Sequence, residues 1–368
     1  MHAVRCPVRA PRVVPRPWPW LTSFLSRSAA FSFVLAACGE PAPPPPAPPV
    51  GKAFSYPSDD VLRLHHIQVR GTHNSYHVDS YNKSFAPWSY THRPIYEQLD
   101  RLAIRQLELD VNFDSEAGIE VYHVAGVDEG SRCRRFTDCL ADIRRFSDAY
   151  PGHLPIYVQI EPKSDLPTDQ IEPFFDVLHR NILDAFSAAR VITPDEVRGD
   201  APSLREALLT HGWPTLATLR GRVLFAFDTT GPIRTAYTHG GKDLSGRLLF
   251  VDSAPGDAFA GVSVLNDPPP TGGQDAYDRA FFGHLLIRTR ADSDTDEAQI
   301  NDRQRGDHAL SSGAHFISTD FPEPDPPLVY RFEVPGGTPA RCNPKTAPAE
   351  CTSLALENPA FVGSAAER

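Results

Sequence analysis

Short apolar runs alternate with amphipathic segments from about Val61 onward, and this alternation limits the folds open to the chain. Eight runs have the length and the β-branched or aromatic content of buried strands: 65–71, 105–111, 119–124, 154–162, 222–228, 247–252, 284–290 and 314–320. Five segments repeat apolar residues at helical spacing: 93–103, 138–150, 169–186, 203–220 and 295–312. The pattern predicts an α/β fold of the (β/α)8 TIM-barrel type, with an incomplete helical ring because some links are short.

The N-terminal region is predicted to address the chain to an export pathway. Residues 1–37 contain five arginines and no acid, and they end in an apolar stretch too short to span a bilayer. The final Leu-Ala-Ala-Cys resembles a bacterial lipobox, in which Cys38 becomes lipidated. The Pro-rich segment 38–58 then predicts a flexible tether, and 59–368 a single barrel domain. We therefore expect a cell-envelope lipoprotein, or a secreted protein if Cys38 is not lipidated.

Composition supports a globular body, which we expect to be a monomer. The chain has 368 residues, of which 41% are hydrophobic and 22% charged, enough for a sizeable core. The formal net charge is −10, and removal of the basic leader would make the body still more acidic. Nonspecific nucleic-acid binding requires clustered cations, so nucleic acid is excluded as the expected partner.

Four cysteines follow the leader and Cys38, and they fall into two close pairs. Cys133 and Cys139 form one pair, and Cys342 and Cys351 form the other. In an exported protein this spacing favours two local disulfides. A zinc site built from the four thiolates is the alternative, but the chain lacks the expected CxxC-like spacing.

Polar residues stand at the predicted strand ends, where a barrel of this type places its catalytic groups. They are His73 and Asn74 on strand one, Glu108 and Asp110 on strand two, His123 on strand three, Glu161 and Lys163 on strand four, Arg288 and Arg290 on strand seven, and Asp320 on strand eight. The i, i+2 spacing puts both strand-two carboxylates on one face. Acids on such apolar strands would be costly to bury without a cation.

The chemistry of this set suits metal-assisted cleavage of a phosphodiester. Asn74, Glu108, Asp110 and Glu161 offer only oxygen ligands, which hard cations such as Ca²⁺ or Mg²⁺ prefer over zinc. Histidine titrates near neutrality, so two histidines can divide acid and base work between them.

The segments RGTHNSYH, QLELDV, VYH and IEPK, in this order, resemble the calcium-dependent phosphoinositide-specific phospholipase C-like family of PLC-like phosphodiesterase barrels. The resemblance runs from about Leu62 to the C-terminal end, where PARCNPKTAP and Cys351 look like the family's tail. It implies Ca²⁺, ahead of Mg²⁺, as the cofactor. It also implies a phospholipid or other phosphodiester as the substrate and a membrane surface as a partner through the anchor.

The resemblance further implies a role for each residue. His73 would stabilise the phosphoryl transition state or act as base, and His123 would protonate the leaving glycerol oxygen. Asn74, Glu108, Asp110 and Glu161 would hold Ca²⁺, and Lys163 and Arg290 would contact the phosphate or the inositol. The inositol 2-hydroxyl would attack, giving a cyclic phosphate and diacylglycerol. Whether Glu108 or a histidine accepts its proton stays open, and His65, His66 and His77 are interpreted as structural or exposed.

Two alternatives remain at this point. A glycerophosphodiester phosphodiesterase or a sphingomyelinase D-like barrel also uses two histidines and an E-x-D metal site, commonly with Mg²⁺. The order Arg70-Gly71-Thr72-His73 differs from the HRG that opens the first strand of such enzymes. A non-catalytic surface lipoprotein would be expected to have lost at least one of the candidate groups, and none is missing. The head group of the substrate is not predicted.

Overall fold

The computed structural model describes residues 54–81, 83–336 and 339–361. The predicted leader, Cys38 and most of the predicted tether lie outside these residues. Residues 54–58, the end of the predicted tether, belong to the packed domain: Phe54 contacts Phe361, and the Tyr56 hydroxyl accepts a hydrogen bond from the Asn358 amide. Among the described residues, no helix combines the length and the apolar character that crossing a bilayer requires.

Eleven strands occur in the part of the chain that the structure describes. They are β1 (Ile67–Thr72), β2 (Gln106–Asp114), β3 (Gly118–Val121), β4 (Ile156–Pro162), β5 (Val191–Ile192), β6 (Val223–Phe227), β7 (Phe250–Val251), β8 (Val262–Val264), β9 (Leu286–Arg290), β10 (Phe316–Thr319) and β11 (Ala340–Cys342). Eight of them, β1, β2, β4, β6, β7, β8, β9 and β10, run parallel around a ring. A bridge between Asp252 and Val262 joins β7 to β8, and β10 pairs with β1 to close the ring. The predicted barrel is confirmed.

One of the eight predicted strands does not belong to the barrel, and one barrel strand was not predicted. The run 119–124 contributes β3, which pairs antiparallel with the outer part of β2 and lies outside the ring. The missing ring member is β8, which has only three residues. A run this short shows no recognisable alternation, and periodicity identifies a strand without identifying its partner.

Helices cover most of the barrel's outer surface. Those described are α1 (Ile95–Arg101), α2 (Phe136–Ala149), α3 (Thr168–Ala185), α4 (Pro194–Arg198), α5 (Leu204–His211), α6 (Leu216–Leu219), α7 (Gly231–Tyr237), α8 (Gln274–Phe282), α9 (Asp296–Ile300), α10 (Gln304–Ser312) and α11 (Ser353–Leu356). The predicted helix 203–220 is interrupted at Gly212, whose φ is +67°, and at Pro214. No helix lies in residues 252–261, all of which the structure describes, so the ring of helices is incomplete as predicted.

The barrel interior changes from apolar to polar along its axis. Tyr157 and Phe316 stack near the N-terminal half with ring centroids 4.3 Å apart. One step toward the C-terminal end, Gly71 makes room for the side chain of Gln106, because a Cβ at Gly71 would lie 1.6 Å from Gln106 Oε1. Further layers carry Glu108 and other ionisable groups. The polar end of the barrel is therefore the place for a site.

The C-terminal segment packs on the barrel through a strand, an ion pair and a disulfide. Strand β11 pairs antiparallel with the start of β1. Glu357 accepts hydrogen bonds from Arg105 at 2.8 and 3.0 Å, and both side chains are fully buried. The two cysteine pairs are bonded as predicted, Cys133 to Cys139 and Cys342 to Cys351.

Candidate active site

The C-terminal ends of the barrel strands collect the predicted site residues. His73 and Asn74 directly follow β1, and Glu108 and Asp110 lie in β2. Glu161 is the last residue but one of β4, Lys163 directly follows β4, and Arg290 ends β9. His123 reaches the same end by another route. The hairpin formed by β2 and β3 carries the chain beyond the barrel and returns it, with Val121 opposite Val111.

Three carboxylates form a compact cluster inside this end of the barrel. Oxygen atoms of Glu108, Asp110 and Glu161 lie within 4.8 Å of one another. Glu108 and Asp110 are buried, and Glu161 is half-buried. Burial, reinforced by the charges of Glu161 and Glu108, raises the pKa of Asp110 well above its ordinary value, although Lys163 acts in the opposite direction. A cation bound among the three carboxylates would offset this cost and favour the ionised form of Asp110.

Asn74 adds a neutral oxygen to the same end of the barrel. Its backbone is left-handed, with φ of 42°, a conformation that asparagine tolerates better than most residues. Its Oδ1 atom is buried and accepts no hydrogen bond from the described residues. Asp110 Oδ2 lies 3.1 Å from Lys163 Nζ, whereas Asp110 Oδ1 accepts no aligned hydrogen bond from the described residues. Buried polar atoms normally have partners, so these oxygens are suited to a ligand such as a metal ion.

Lys163 is a cation in direct contact with two members of the carboxylate cluster. Its Nζ atom lies 2.6 Å from Glu161 Oε1 and 3.1 Å from Asp110 Oδ2. Burial works against the charged ammonium, but Asp110 and Glu161 outweigh it and raise the pKa of Lys163 above its ordinary value. The ammonium remains partly exposed and is available to an anionic group at the mouth.

His73 is held by a carboxylate on the neighbouring strand. Its Nδ1 atom lies 2.7 Å from Oδ1 of Asp320, the residue that directly follows β10. Its Nε2 atom lies 3.8 Å from Glu108 Oε1. Arg290 donates a 3.0 Å hydrogen bond to the other oxygen of Asp320. Burial opposes ionisation of Asp320, but the charges of His73 and Arg290 hold its pKa well below the ordinary value. A carboxylate on Nδ1 leaves Nε2 free to meet substrate.

Arginines from the opposite side of the barrel complete the charge balance. Arg288, fully buried, pairs with Glu108. Burial works against the ionised form of Glu108, yet Arg288 and His73 together hold its pKa below the ordinary value. Arg290 is mostly buried and turned toward Asp320, so the structure gives it a partner in the protein. The predicted contact of Arg290 with substrate stays a prediction.

His123 belongs to a second histidine–carboxylate pair. Its Nδ1 atom lies 3.0 Å from Asp128 Oδ2, and the same oxygen lies 3.0 Å from His77 Nε2. Burial opposes ionisation of Asp128, but the hydrogen bonds of His123 and His77 hold its pKa at about 2. The ring of Trp88 meets His123 edge to face, with centroids 5.2 Å apart. His77, interpreted from sequence as structural or exposed, is buried.

Asp228 adds another acid at the end of β6 that the sequence did not single out. Its Oδ2 atom accepts a 3.0 Å hydrogen bond from Gln159. Burial, then the charges of Glu161 and Glu108, raise its pKa to about 7. The interior around the carboxylate cluster is therefore acidic on several sides, which again favours a bound cation.

Comparison with known proteins gives a clear family result. The family model described as "Phosphoinositide phospholipase C, Ca2+-dependent" matches residues 62–119 and 115–344, more than three quarters of the chain. Comparison with curated protein sequences gives no significant match.

Solved structures agree on the fold. A calcium-dependent phosphoinositol-specific phospholipase C from a Gram-negative Pseudomonas species has 19% identity and a TM-score of 0.54, over 78% of this chain and 97% of the other. A Ca²⁺-dependent phosphatidylinositol-specific phospholipase C from Streptomyces antibioticus has 19% identity and a TM-score of 0.50, over 71% and 96%. On the strength of the family match, the chain belongs to the calcium-dependent phosphoinositide phospholipase C family and is an enzyme of that class.

Proposed function

We propose that this enzyme cleaves the phosphodiester bond of phosphatidylinositol or a related phospholipid, with Ca²⁺ as its cofactor. The observation that carries the proposal is the convergence of one oxygen-ligand cluster and two carboxylate-bound histidines at a single barrel mouth. The metal supports electrophilic activation, and the histidines support proton transfer at two atoms of the substrate.

The residues present fit a calcium ion. Asn74, Glu108, Asp110 and Glu161 supply oxygen atoms only, and calcium takes carboxylate and amide oxygens in flexible geometry. The buried Oδ1 atom of Asn74, which accepts no hydrogen bond from the described residues, supports this choice. When bound, the ion would stabilise negative charge on the phosphoryl oxygens and lower the pKa of the attacking hydroxyl. Lys163 is the residue nearest to the cluster that can meet the phosphate.

His73 is the base in this proposal. Its Nδ1 proton is directed to Asp320 at 2.7 Å, which leaves Nε2 to accept the proton of the attacking hydroxyl. The imidazolium that forms is stabilised by Asp320, which Arg290 holds in place. For an inositol lipid the attacking group is the 2-hydroxyl, and the product is a cyclic phosphate.

His123 is the acid in this proposal. Asp128 accepts a hydrogen bond from the Nδ1–H group, and in the imidazolium form Nε2 carries a second proton. That proton passes to the leaving oxygen of diacylglycerol, and the neutral ring keeps its proton on Nδ1. The departing alkoxide is a strong base, and protonation is worth roughly 10²- to 10⁴-fold in rate for such steps. The two histidines thus divide the acid and base roles.

The surroundings of His123 support a lipid substrate. Two loops beside it expose apolar side chains: Phe85 and Val127 are 43% and 49% exposed, and Phe85 packs on Trp88 with centroids 4.7 Å apart. Such a patch at a polar mouth suits contact with the apolar part of a bilayer.

The predicted lipid anchor at Cys38 would place the domain at a membrane, and we propose an envelope location on that basis.

The proposal is tested by a substrate panel. The full chain is assayed with Ca²⁺ on vesicles that contain phosphatidylinositol, on glycerophosphoinositol and on sphingomyelin, beside His123→Ala and Glu161→Gln. We expect release of inositol phosphate from phosphatidylinositol and its loss in both variants. His239→Ala, which changes an exposed histidine of the Asp243 surface pair, is the matched control and should retain activity. Turnover of glycerophosphodiester alone would overturn the lipid assignment.

A further inference from the structure

Asp128 is a buried carboxylate with two histidine partners, and one of them is the proposed acid. Its side chain is fully buried, and its Oδ2 atom lies 3.0 Å from both His123 Nδ1 and His77 Nε2. The other carboxylate oxygen lies 3.2 Å from the same His77 nitrogen. The Asp128 carboxylate therefore links the partly exposed ring of His123 to the buried ring of His77.

The loop that carries Asp128 is closed by its own backbone. Val124 and Asp128 exchange two hydrogen bonds of 2.9 and 2.8 Å, and Gly126 takes the left-handed conformation that this turn requires. The turn brings Asp128 back beside His123, five residues earlier in the chain. A fixed backbone gives the carboxylate a fixed position relative to the ring.

His77 anchors the carboxylate from the other side. Its Nδ1 atom donates to the carbonyl oxygen of Tyr90 at 2.9 Å, and its Nε2 atom faces Asp128. Its own loop is bound to the segment after Asp128, since Val78 donates to the carbonyl oxygen of Gly130. A glycine is required at position 130, because a Cβ on this residue would lie 2.0 Å from the backbone carbonyl oxygen of Val78. The histidine is thus a support for Asp128.

We propose that Asp128 is a positioning residue that fixes the orientation and the tautomer of His123, and that His77 holds Asp128 for this task. This inference rests on the proposed role of His123 as the acid. With Asp128 on Nδ1, the Nε2 atom of His123 always faces the mouth. Carboxylates that orient a catalytic imidazole act in this way without contacting substrate.

The first test compares two leaving groups. Asp128→Ala is assayed in the full chain with phosphatidylinositol and with 4-nitrophenyl inositol phosphate, whose leaving group is a much weaker base and needs little protonation. We expect kcat on the lipid to fall about 10²-fold with little change in KM, and the loss on the nitrophenyl ester to be at least about tenfold smaller. Glu116→Gln, a charge removal at an exposed residue of the turn between β2 and β3, is the matched control and should behave as wild type.

A double variant separates positioning from a general structural effect. If Asp128 acts through His123, the variant with both Asp128→Ala and His123→Ala should be no slower than His123→Ala alone, within about threefold. Equal losses on both leaving groups, or additive losses in the double variant, would overturn the proposal. If Asp128→Ala does not fold, Asp128→Asn replaces it. We then expect a smaller decrease in kcat, which again affects the lipid more than the nitrophenyl ester.

The second test does not depend on turnover, so it stands even if the proposed reaction is wrong. Protein with ¹⁵N-labelled imidazoles is examined by long-range ¹H–¹⁵N NMR above neutral pH, with His123→Ala used for assignment. We expect the neutral His123 ring to carry its proton on Nδ1 in wild type and on Nε2 in Asp128→Ala. An unchanged tautomer in the variant would refute the positioning role.

Discussion

Asp320→Asn changes one buried carboxylate that serves both His73 and Arg290. The Asp320 side chain is 1% exposed, and it lies 2.7 Å from His73 Nδ1 and 3.0 Å from an Arg290 nitrogen. An asparagine can present its oxygen to one of these donors, but its NH₂ group then faces the other. Two donors in contact inside the protein leave one of them unsatisfied and the guanidinium charge uncompensated.

The expected magnitude follows from these contacts. Loss of the carboxylate that orients a catalytic histidine lowers kcat by roughly 10²- to 10⁴-fold in comparable sites. KM should change little, because Asp320 faces His73 and Arg290 and has no place at the substrate. The uncompensated Arg290 should lower the free energy of unfolding by about 3 kcal/mol.

The assay measures initial rates on phosphatidylinositol at saturating Ca²⁺ and, separately, urea unfolding. Asp325→Asn is the matched control, because Asp325 pairs with Lys83 in a partly exposed contact that is worth about 1 kcal/mol or less. It should retain wild-type rates. A kcat for Asp320→Asn within about threefold of wild type, in folded protein, would show that Asp320 does not orient His73 for catalysis.

Three further predictions follow from other contacts. Asp110→Asn should weaken Ca²⁺ binding about tenfold or more, because it removes a charged ligand. It should not lower the melting temperature, because burial already disfavours the charged form of Asp110. An unchanged affinity in a calorimetric Ca²⁺ titration would contradict the prediction. Glu357→Gln should cost about 3–5 kcal/mol in urea unfolding because Arg105 stays buried and charged, and a cost below about 1 kcal/mol would count against the buried pair. Burial lowers the pKa of His153 to about 4, so the unfolded chain binds the proton first. His153 should therefore contribute about 3 kcal/mol to the loss of stability as pH drops from about 6.5 to 4, beside the other buried histidines whose pKa values are lowered. His153→Gln should reduce the decline by that amount, and an unchanged profile would exclude His153 as a contributor.

The barrel was predictable because most of its strands are long enough to appear in the sequence as apolar runs rich in β-branched and aromatic residues. Runs such as 154–162 and 314–320 contain β4 and β10 with only small shifts at their ends. The three-residue β8 carries no such signal. The run 119–124 does form a strand, but its antiparallel partner depends on a tight turn after Asp114 that hydropathy does not reveal.

The site was predictable where residues sit on barrel strands. Glu108 and Asp110 share a face by simple spacing, and the end of a strand in such a barrel lies at the catalytic mouth. Asp320 was visible by the same rule, although only the structure shows that it binds His73. Asp128 gave no signal, because it reaches His123 from a loop closed by backbone hydrogen bonds.

The proposed calcium-dependent cleavage is tested most simply by ³¹P NMR of phosphatidylinositol vesicles incubated with the full chain, in Ca²⁺, in Mg²⁺ and in EDTA. We expect a cyclic inositol phosphate with Ca²⁺, little or none with Mg²⁺, and none with EDTA. Cleavage that continues in EDTA, or intact lipid in the presence of Ca²⁺, would contradict a calcium-dependent phospholipase C built on Glu108, Asp110 and Glu161.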